Sequence, residues 1–145
     1  MEGVVWQEYG LITLCPKSWP QFPTTPEAAG LYRITLNDGR VYIGEAQSLK
    51  RRLYEYRRPT PGIEQEHRVH AAIVAAGGGK LDIYTQGDLS TRAKRMELEK
   101  AEIERALAQG RRLMNISGED DVAAIEAKIR FHEQEAEKWK AKLPE

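Results

Sequence analysis

Apolar and polar residues alternate in several short segments, and this pattern predicts β-strands. Residues 31–36 alternate, an Asn-Asp-Gly turn occupies 37–39, and residues 41–43 resume the alternation. These three segments predict a β-hairpin. Residues 81–84 predict a third strand, whereas the proline-rich start of the chain predicts an extended lead-in with one short strand near residues 11–14.

The hairpin loop decides whether two tyrosines share a face of the sheet. A three-residue loop with Gly39 in the left-handed region places Tyr42 opposite Ile34. Tyr32 is then a diagonal neighbour of Tyr42 on the same face, about 7–8 Å away. A two-residue loop would put the tyrosines on opposite faces. The Asn-Asp-Gly order favours the first register.

Capping residues and helix-ending residues predict three helices before residue 110. We expect one from the N-cap Ser48 to about residue 58, one over about 63–76 that ends at three glycines, and one from residue 90 or 91 to 108. A short apolar piece at 113–116 could return to the core. The order of strands and helices predicts an α+β fold with a small sheet covered by helices.

The C-terminal segment predicts a further helix, from Asp120 or Asp121 to about Lys142. Its apolar positions recur with heptad spacing at Val122, Ile125, Ile129, His132, Ala136, Trp139 and Leu143. Such a seam indicates either a helix packed back on its own domain or a helix that pairs two chains in a homodimer.

Composition narrows the class of protein. The 145 residues carry 22 basic and 22 acidic side chains and are 41% hydrophobic, which excludes a histone-like polycation and an acidic disordered tail. The single cysteine, Cys15, excludes an internal disulfide and a Cys-rich zinc site. No apolar run reaches the length of about 18 residues that a membrane span needs. The first residues lack the pattern of a secretory signal, so we expect an intracellular, cytoplasmic protein.

Basic residues are concentrated in the first predicted helix. Five cations lie within nine residues, interleaved with aromatic side chains: Lys50, Arg51, Arg52, Arg57 and Arg58, with Tyr54 and Tyr56 between them. Such a run is either a solvated helix face or a surface that binds nucleic-acid phosphates. The interleaved tyrosines favour the second interpretation.

A longer pattern joins the hairpin to this helix and to the third helix. Gly30-Leu31-Tyr32 is followed after nine residues by Tyr42-Ile43-Gly44, with Arg52 ten residues beyond Tyr42. The pattern continues at Tyr56, Glu99, Ile103 and Asn115. It resembles the signature of the GIY-YIG nuclease superfamily over about residues 29–116, with a departure at Leu31, where isoleucine or valine is usual. The spacing is similar to that of small phage endonucleases and restriction-type members.

The resemblance implies a small antiparallel three-stranded sheet flanked by helices, with an extra C-terminal helix. It divides the chain into an N-terminal extension (1–28), a nuclease domain (29–116) and the C-terminal helix (117–145). The implied activity is hydrolysis of DNA phosphodiester bonds with Mg²⁺ or Mn²⁺, by nicking or by double-strand cleavage. A catalytically silent nucleic-acid-binding module of the same fold is the alternative.

The resemblance also implies roles for individual residues. A tyrosine deprotonates the attacking water, with Tyr32 the first choice and Tyr42 the second, and Arg52 neutralises the phosphoryl charge. Glu99 holds the metal ion, Tyr56 hydrogen-bonds a phosphate or the nucleophile, and Asn115 supports Glu99 or a phosphate. DNA-binding residues are expected at Gly44, Lys50, Arg51, Arg57 and Arg58, and His67 is an auxiliary candidate.

Glu99 also stands out from the sequence pattern itself. Met96, Ile103 and Leu107 are spaced as an apolar helical stripe, which Glu99 interrupts. A buried carboxylate is costly unless a cation pairs with it. Glu99 is therefore a glutamate at the rim of the core, a partner of an arginine or a metal ligand. The last is favoured, and a single glutamate suffices for Mg²⁺ because this ion keeps several waters.

Overall fold

The computed structural model describes residues 4–15 and 19–115. Its strands are β1 (Gln7–Leu14), β2 (Pro20–Gln21), β3 (Gly30–Leu36), β4 (Arg40–Ala46), β5 (Gly79–Tyr84) and β6 (Arg112–Leu113). Its helices are α1 (Leu49–Arg57), α2 (Glu64–Ala76) and α3 (Arg92–Ala108). The predicted C-terminal helix, its heptad seam and the homodimer it suggests lie outside the described residues and stay predictions.

The strands form one mixed sheet in the order β2-β1-β5-β3-β4-β6. Neighbours are antiparallel except β4 and β6, which are parallel. The α+β class is confirmed. The prediction of a three-stranded sheet is wrong, because the predicted sheet includes β3, β4 and β5 and omits the other strands. Strand β1 lacks clear alternation because Ile12 is its only buried residue, and β2 and β6 have two residues each. The strand predicted near residues 11–14 is the end of β1, whereas the two-residue strands are revealed by their pairing rather than by their sequence.

The predicted hairpin register is confirmed. Tyr42 pairs with Ile34, and Tyr32 pairs with Gly44. The loop residue Gly39 has φ +95°, and its N–H donates to Leu36 O at 2.9 Å. Glycine adopts this left-handed conformation at no steric cost. The loop therefore sets the register that puts both tyrosines on one face.

The sheet separates two apolar cores because strand side chains alternate between its faces. Tyr32, Ile34 and Tyr42 face α1 and α2 and belong to the larger core. Val41 and Ile43 face α3 and pack against Ala106. Residues on opposite faces of β4 thus contact different helices.

The helices begin and end at the expected capping residues. Ser48 Oγ accepts from Arg51 N at 3.3 Å, Gly77 ends α2 in the left-handed conformation, and Thr91 Oγ1 accepts from Lys94 N at 3.3 Å. These contacts satisfy backbone groups that helix termini leave open. None of the helices in the described part of the chain is long and apolar enough to span a membrane.

The buried face of α3 differs from the predicted apolar stripe. Met96 is 47% exposed, whereas Arg95, Glu102 and Ala106 are buried. Glu102 accepts from Trp6 Nε1 at 3.1 Å and pairs with Arg105 at 3.3 Å. Hydrogen bonds and ion pairs compensate these charges, so residue type alone did not identify the face.

A buried ion pair joins β3 to β5. Arg33 lies directly opposite Asp82 and donates through Nε and a terminal nitrogen to Oδ2, at 3.1 and 3.0 Å. The Asp82 side chain is fully buried, and the Arg33 guanidinium lies 4.9 Å from the centre of the Trp6 ring. Removing the cation would leave a carboxylate in the protein interior.

Arg33→Met should therefore lower the free energy of unfolding by about 3 kcal/mol at neutral pH, because a broken buried pair leaves an uncompensated charge. Urea denaturation measures the loss. The control is Lys80→Met, which removes an exposed pair with Glu8 (3.2 Å) and should change stability little. Similar losses for the two variants would contradict the importance of the buried pair.

Candidate active site

Three tyrosines from three different elements meet on the α1 and α2 side of the sheet. Tyr32 comes from β3, Tyr42 from β4 and Tyr56 from α1, and their ring centroids lie 5.8–6.2 Å apart. The hydroxyls of Tyr32 and Tyr56 are hydrogen-bonded to each other. The chain thus brings together the three tyrosines that the motif singled out.

Gly44 provides the space for this cluster. It lies opposite Tyr32, and a Cβ at this position would overlap the Tyr32 hydroxyl and ring. Gly44 is itself buried. Its role in the described structure is to admit the tyrosine ring, and a DNA contact at Gly44 stays a prediction.

Gln65 of α2 completes the cluster and was missed by sequence reasoning. Its Nε2 donates to the hydroxyl of Tyr42 and, at 3.3 Å, to that of Tyr56. Gln65 is exposed, so this end of the tyrosine cluster lies near solvent. The sequence contained one signal for Gln65, its position in α2. It lies one helical turn before Val69, on the helix face that Val69 and Ile73 share.

Arg52 lies beside the three tyrosines. It is half-buried and forms an ion pair with Glu55 at 3.5 Å. Burial lowers the pKa of Arg52, but its interactions with Tyr32 and Tyr56 outweigh this and raise the pKa. Arg52 also lines an open cavity of about 550 Å³, so a ligand can reach it.

Two of the tyrosines resist ionisation. Burial, with the neighbouring tyrosines, raises the pKa of Tyr32 well above its ordinary value, although Arg52 opposes this. Burial also raises the pKa of Tyr56, again against Arg52. Both hydroxyls are therefore protonated at neutral pH.

Glu99 approaches from the opposite face of the sheet. Burial and the carboxylate of Glu45 raise its pKa, while a hydrogen bond from Glu45 N–H, Arg92 and Arg52 lower it. Glu45 itself pairs with Arg95 at 2.8 Å. Arg52 thus acts on Glu99 as well as on the tyrosines. Glu45 and Arg95 were not identified from the sequence, because neither departs from its local pattern.

Asn115 binds the backbone of β4. Its Oδ1 accepts from Ile43 N at 3.0 Å, and its Nδ2 donates to Ile43 O at 2.5 Å. Next to it, Met114 N donates to Val41 O at 2.7 Å. The amide of Asn115 therefore continues the edge of the sheet beyond β6, which is a positioning contact.

The acidic side of this arrangement offers one half-buried carboxylate, Glu99, to the divalent cation that the resemblance implies. The raised pKa of Glu99 reflects burial and repulsion from Glu45, and a bound cation relieves such repulsion. Among the described residues there is no group of three or more His, Cys, Asp or Glu side chains that could hold a metal. Mg²⁺ binds through one or two carboxylates and several waters. Glu45 already pairs with Arg95, so Glu99 is the better ligand.

The other predicted residues are spread over the protein and do not gather at one site. Lys50 and Arg51 are exposed on α1, and Arg57 is half-buried. The guanidinium of Arg58 lies 4.6 Å from the centre of the Trp19 ring. His67 is exposed on α2, while the neighbouring His70 places Nδ1 2.8 Å from Tyr56 O.

Comparison of the chain with protein-family models, with curated proteins and with solved structures finds no match. The resemblance to GIY-YIG nucleases therefore depends on the motif residues, and function has to be argued from the site.

Gly44→Ala should destabilise the protein by about 1–3 kcal/mol, because the added methyl group overlaps the Tyr32 ring. Denaturant unfolding of Gly44→Ala, Tyr32→Ala and the double variant measures the coupling between the two positions. Gly44→Ala should cost much less when Tyr32 is already alanine. An equal cost in both backgrounds would show that the contact does not constrain the site.

Proposed function

We propose that this protein is a divalent-metal-dependent DNA endonuclease that hydrolyses phosphodiester bonds by tyrosine-assisted attack of water. The observation that carries the proposal is the position of Arg52, which interacts electrostatically with the tyrosine cluster on one side and with Glu99 on the other. Phosphodiester hydrolysis needs a proton acceptor, a cation for the phosphoryl oxygens and help for the leaving oxygen. The site contains a candidate group for each of these requirements.

Tyr42 is the tyrosine best placed to take the proton of water, and its own hydroxyl proton passes to solvent in the same step because a phenol O–H is not itself a base. Tyr32 and Tyr56 are 1% and 0% exposed, whereas Tyr42 is 6% exposed and bonds to the exposed Gln65. Burial thus shifts the preference from Tyr32, the first choice by resemblance, to Tyr42. Tyr32 and Tyr56 then orient the base.

Arg52 neutralises the charge that develops on the phosphoryl oxygens, since it lines an open cavity that a ligand can enter. Glu99 would hold the divalent ion on the α3 side, and Asn115 fixes the neighbouring strand edge through the backbone of Ile43. The ion, when bound, supplies charge stabilisation at the scissile phosphate. The exposed cations of α1 bind neighbouring phosphates of the DNA backbone.

A catalytically silent nucleic-acid-binding module is the second candidate. The burial of Tyr32 and Tyr56 favours it, because a base must reach water. Nicking of supercoiled plasmid with and without Mg²⁺ separates the two candidates. Metal-dependent nicking supports the endonuclease, whereas DNA binding without nicking supports the silent module.

Glu99→Gln should abolish metal-dependent nicking while folding and DNA binding persist, because the change removes the ligand charge at constant volume. Plasmid nicking, circular dichroism and fluorescence anisotropy with labelled DNA measure the three properties. The control is Glu97→Gln on the exposed face of α3, which should cut at the wild-type rate. Wild-type cleavage by Glu99→Gln would rule out Glu99 as the essential ligand.

Arg52→Ala should lower the cleavage rate about 10²-fold or more at saturating DNA, as expected for a cation that stabilises the transition state. Arg58→Ala is the matched control at the C-cap of the same helix, because Arg58 contacts Trp19 instead of the tyrosines. It should mainly weaken binding and lower the salt slope by about one unit. If the two variants lose affinity equally and neither loses rate, the catalytic role of Arg52 is wrong.

A further inference from the structure

A second groove lies on the far side of α1 from the tyrosine cluster. It has a volume of about 450 Å³. One wall is the segment 22–25, and the other is the face of α1 that carries Lys50, Tyr54 and Arg57. Glu27, Ser48 and Arg51 line both this groove and the cavity of Arg52. The two cavities therefore adjoin around the N-terminal end of α1.

The wall opposite α1 is held in place by backbone hydrogen bonds. Leu49 N donates to Ala28 O at 3.0 Å, and Lys50 N donates to Pro26 O at 3.1 Å. Phe22 follows β2 directly and packs against the main core. The groove is thus formed before any ligand binds, which lowers the cost of binding.

The groove combines aromatic and cationic side chains. Tyr54 is 58% exposed, an unusual exposure for a large aromatic residue, and Phe22 lies on the opposite wall. Lys50, Arg51 and Arg57 supply positive charge, and Arg57 Nε is buried without a hydrogen-bond partner among the described residues. The acidic lining residue, Glu27, pairs with Lys50 at 3.3 Å. A ligand with a flat ring and a negative charge complements this lining.

We propose that this groove binds an unpaired nucleotide of the DNA strand, next to the phosphate that Arg52 contacts. The base stacks on Tyr54, and Lys50, Arg51 and Arg57 bind the phosphates on either side. A paired base remains stacked within the duplex and cannot enter a groove in the protein surface. The inference rests on the proposed function and deepens it, because it makes single-stranded or flapped DNA the preferred substrate.

The test uses the full chain with Glu99→Gln, so that DNA is not consumed. Fluorescence anisotropy measures binding to a labelled 12-nucleotide single strand and to the matching blunt duplex. Tyr54→Ala should weaken single-strand binding about tenfold, as expected for the loss of one base stack, and should change duplex binding less than about twofold. Tyr54→Phe is the control and should bind as the parent does, because it keeps the ring. Circular dichroism checks the fold of each variant.

Cleavage of the same DNAs by the otherwise unchanged protein with Mg²⁺ separates this inference from the proposed function. Single-strand binding that depends on Tyr54, without cleavage of any DNA, supports the groove and overturns the endonuclease. If the protein cleaves DNA but Tyr54→Ala weakens binding of both DNAs equally, the groove is not a nucleotide site. The same conclusion follows if Tyr54→Ala changes the binding of neither DNA. Loss of binding in Tyr54→Phe would likewise overturn the stacking role.

Discussion

The ring of Tyr32 occupies the space that Gly44 leaves open, and the arrangement of the site depends on this contact. Strand residues alternate between faces, so the register that pairs these residues also puts Tyr42 beside Tyr32 and puts Glu45 on the other face. Helix α1 then adds Tyr56 to the cluster. A side chain at position 44 would displace the ring, and with it the hydroxyl that bonds Tyr56. The absence of one Cβ thus sets the positions of groups from three elements.

The edge of β4 connects the tyrosine cluster to α3. Strand β6 pairs only with the beginning of β4, and side chains satisfy the backbone beyond it. Asn115 bonds both backbone groups of Ile43, and Glu99 accepts from Glu45 N–H. Asn115 and Glu99 come from different segments of the chain, and both lie near the edge of β4. Since unpaired backbone groups are costly, the Asn115 amide stabilises the edge of the strand that also carries Tyr42.

Local rules predicted the hairpin register and the ends of the helices, because the loop at 37–39, Ser48 and Gly77 impose these features on their neighbours. The grouping of the three tyrosines and Arg52 followed from the motif and its spacing. Local rules failed where another part of the chain makes the environment. Strands of two residues form only by pairing, and buried charges on α3 are tolerated only because distant partners neutralise them. Gln65 is an ordinary exposed residue until the fold places the tyrosine hydroxyls beside it.

The sheet also divides the chemistry of the site, and Arg52 connects the two parts. On one face Tyr32 and Tyr56 are neutral, because burial raises the pKa of both. On the other face Glu99 is a carboxylate near a second carboxylate. A neutral tyrosine cluster alone carries no positive charge that attracts a phosphate. A pair of carboxylates alone repels a phosphate. Arg52 lowers the pKa of both kinds of group, so the local field of one guanidinium matters here more than the zero net charge of the chain. Arg52 is therefore the positive charge common to the tyrosine cluster and to Glu99, and the proposed hydrolysis would use this charge at the phosphoryl oxygens.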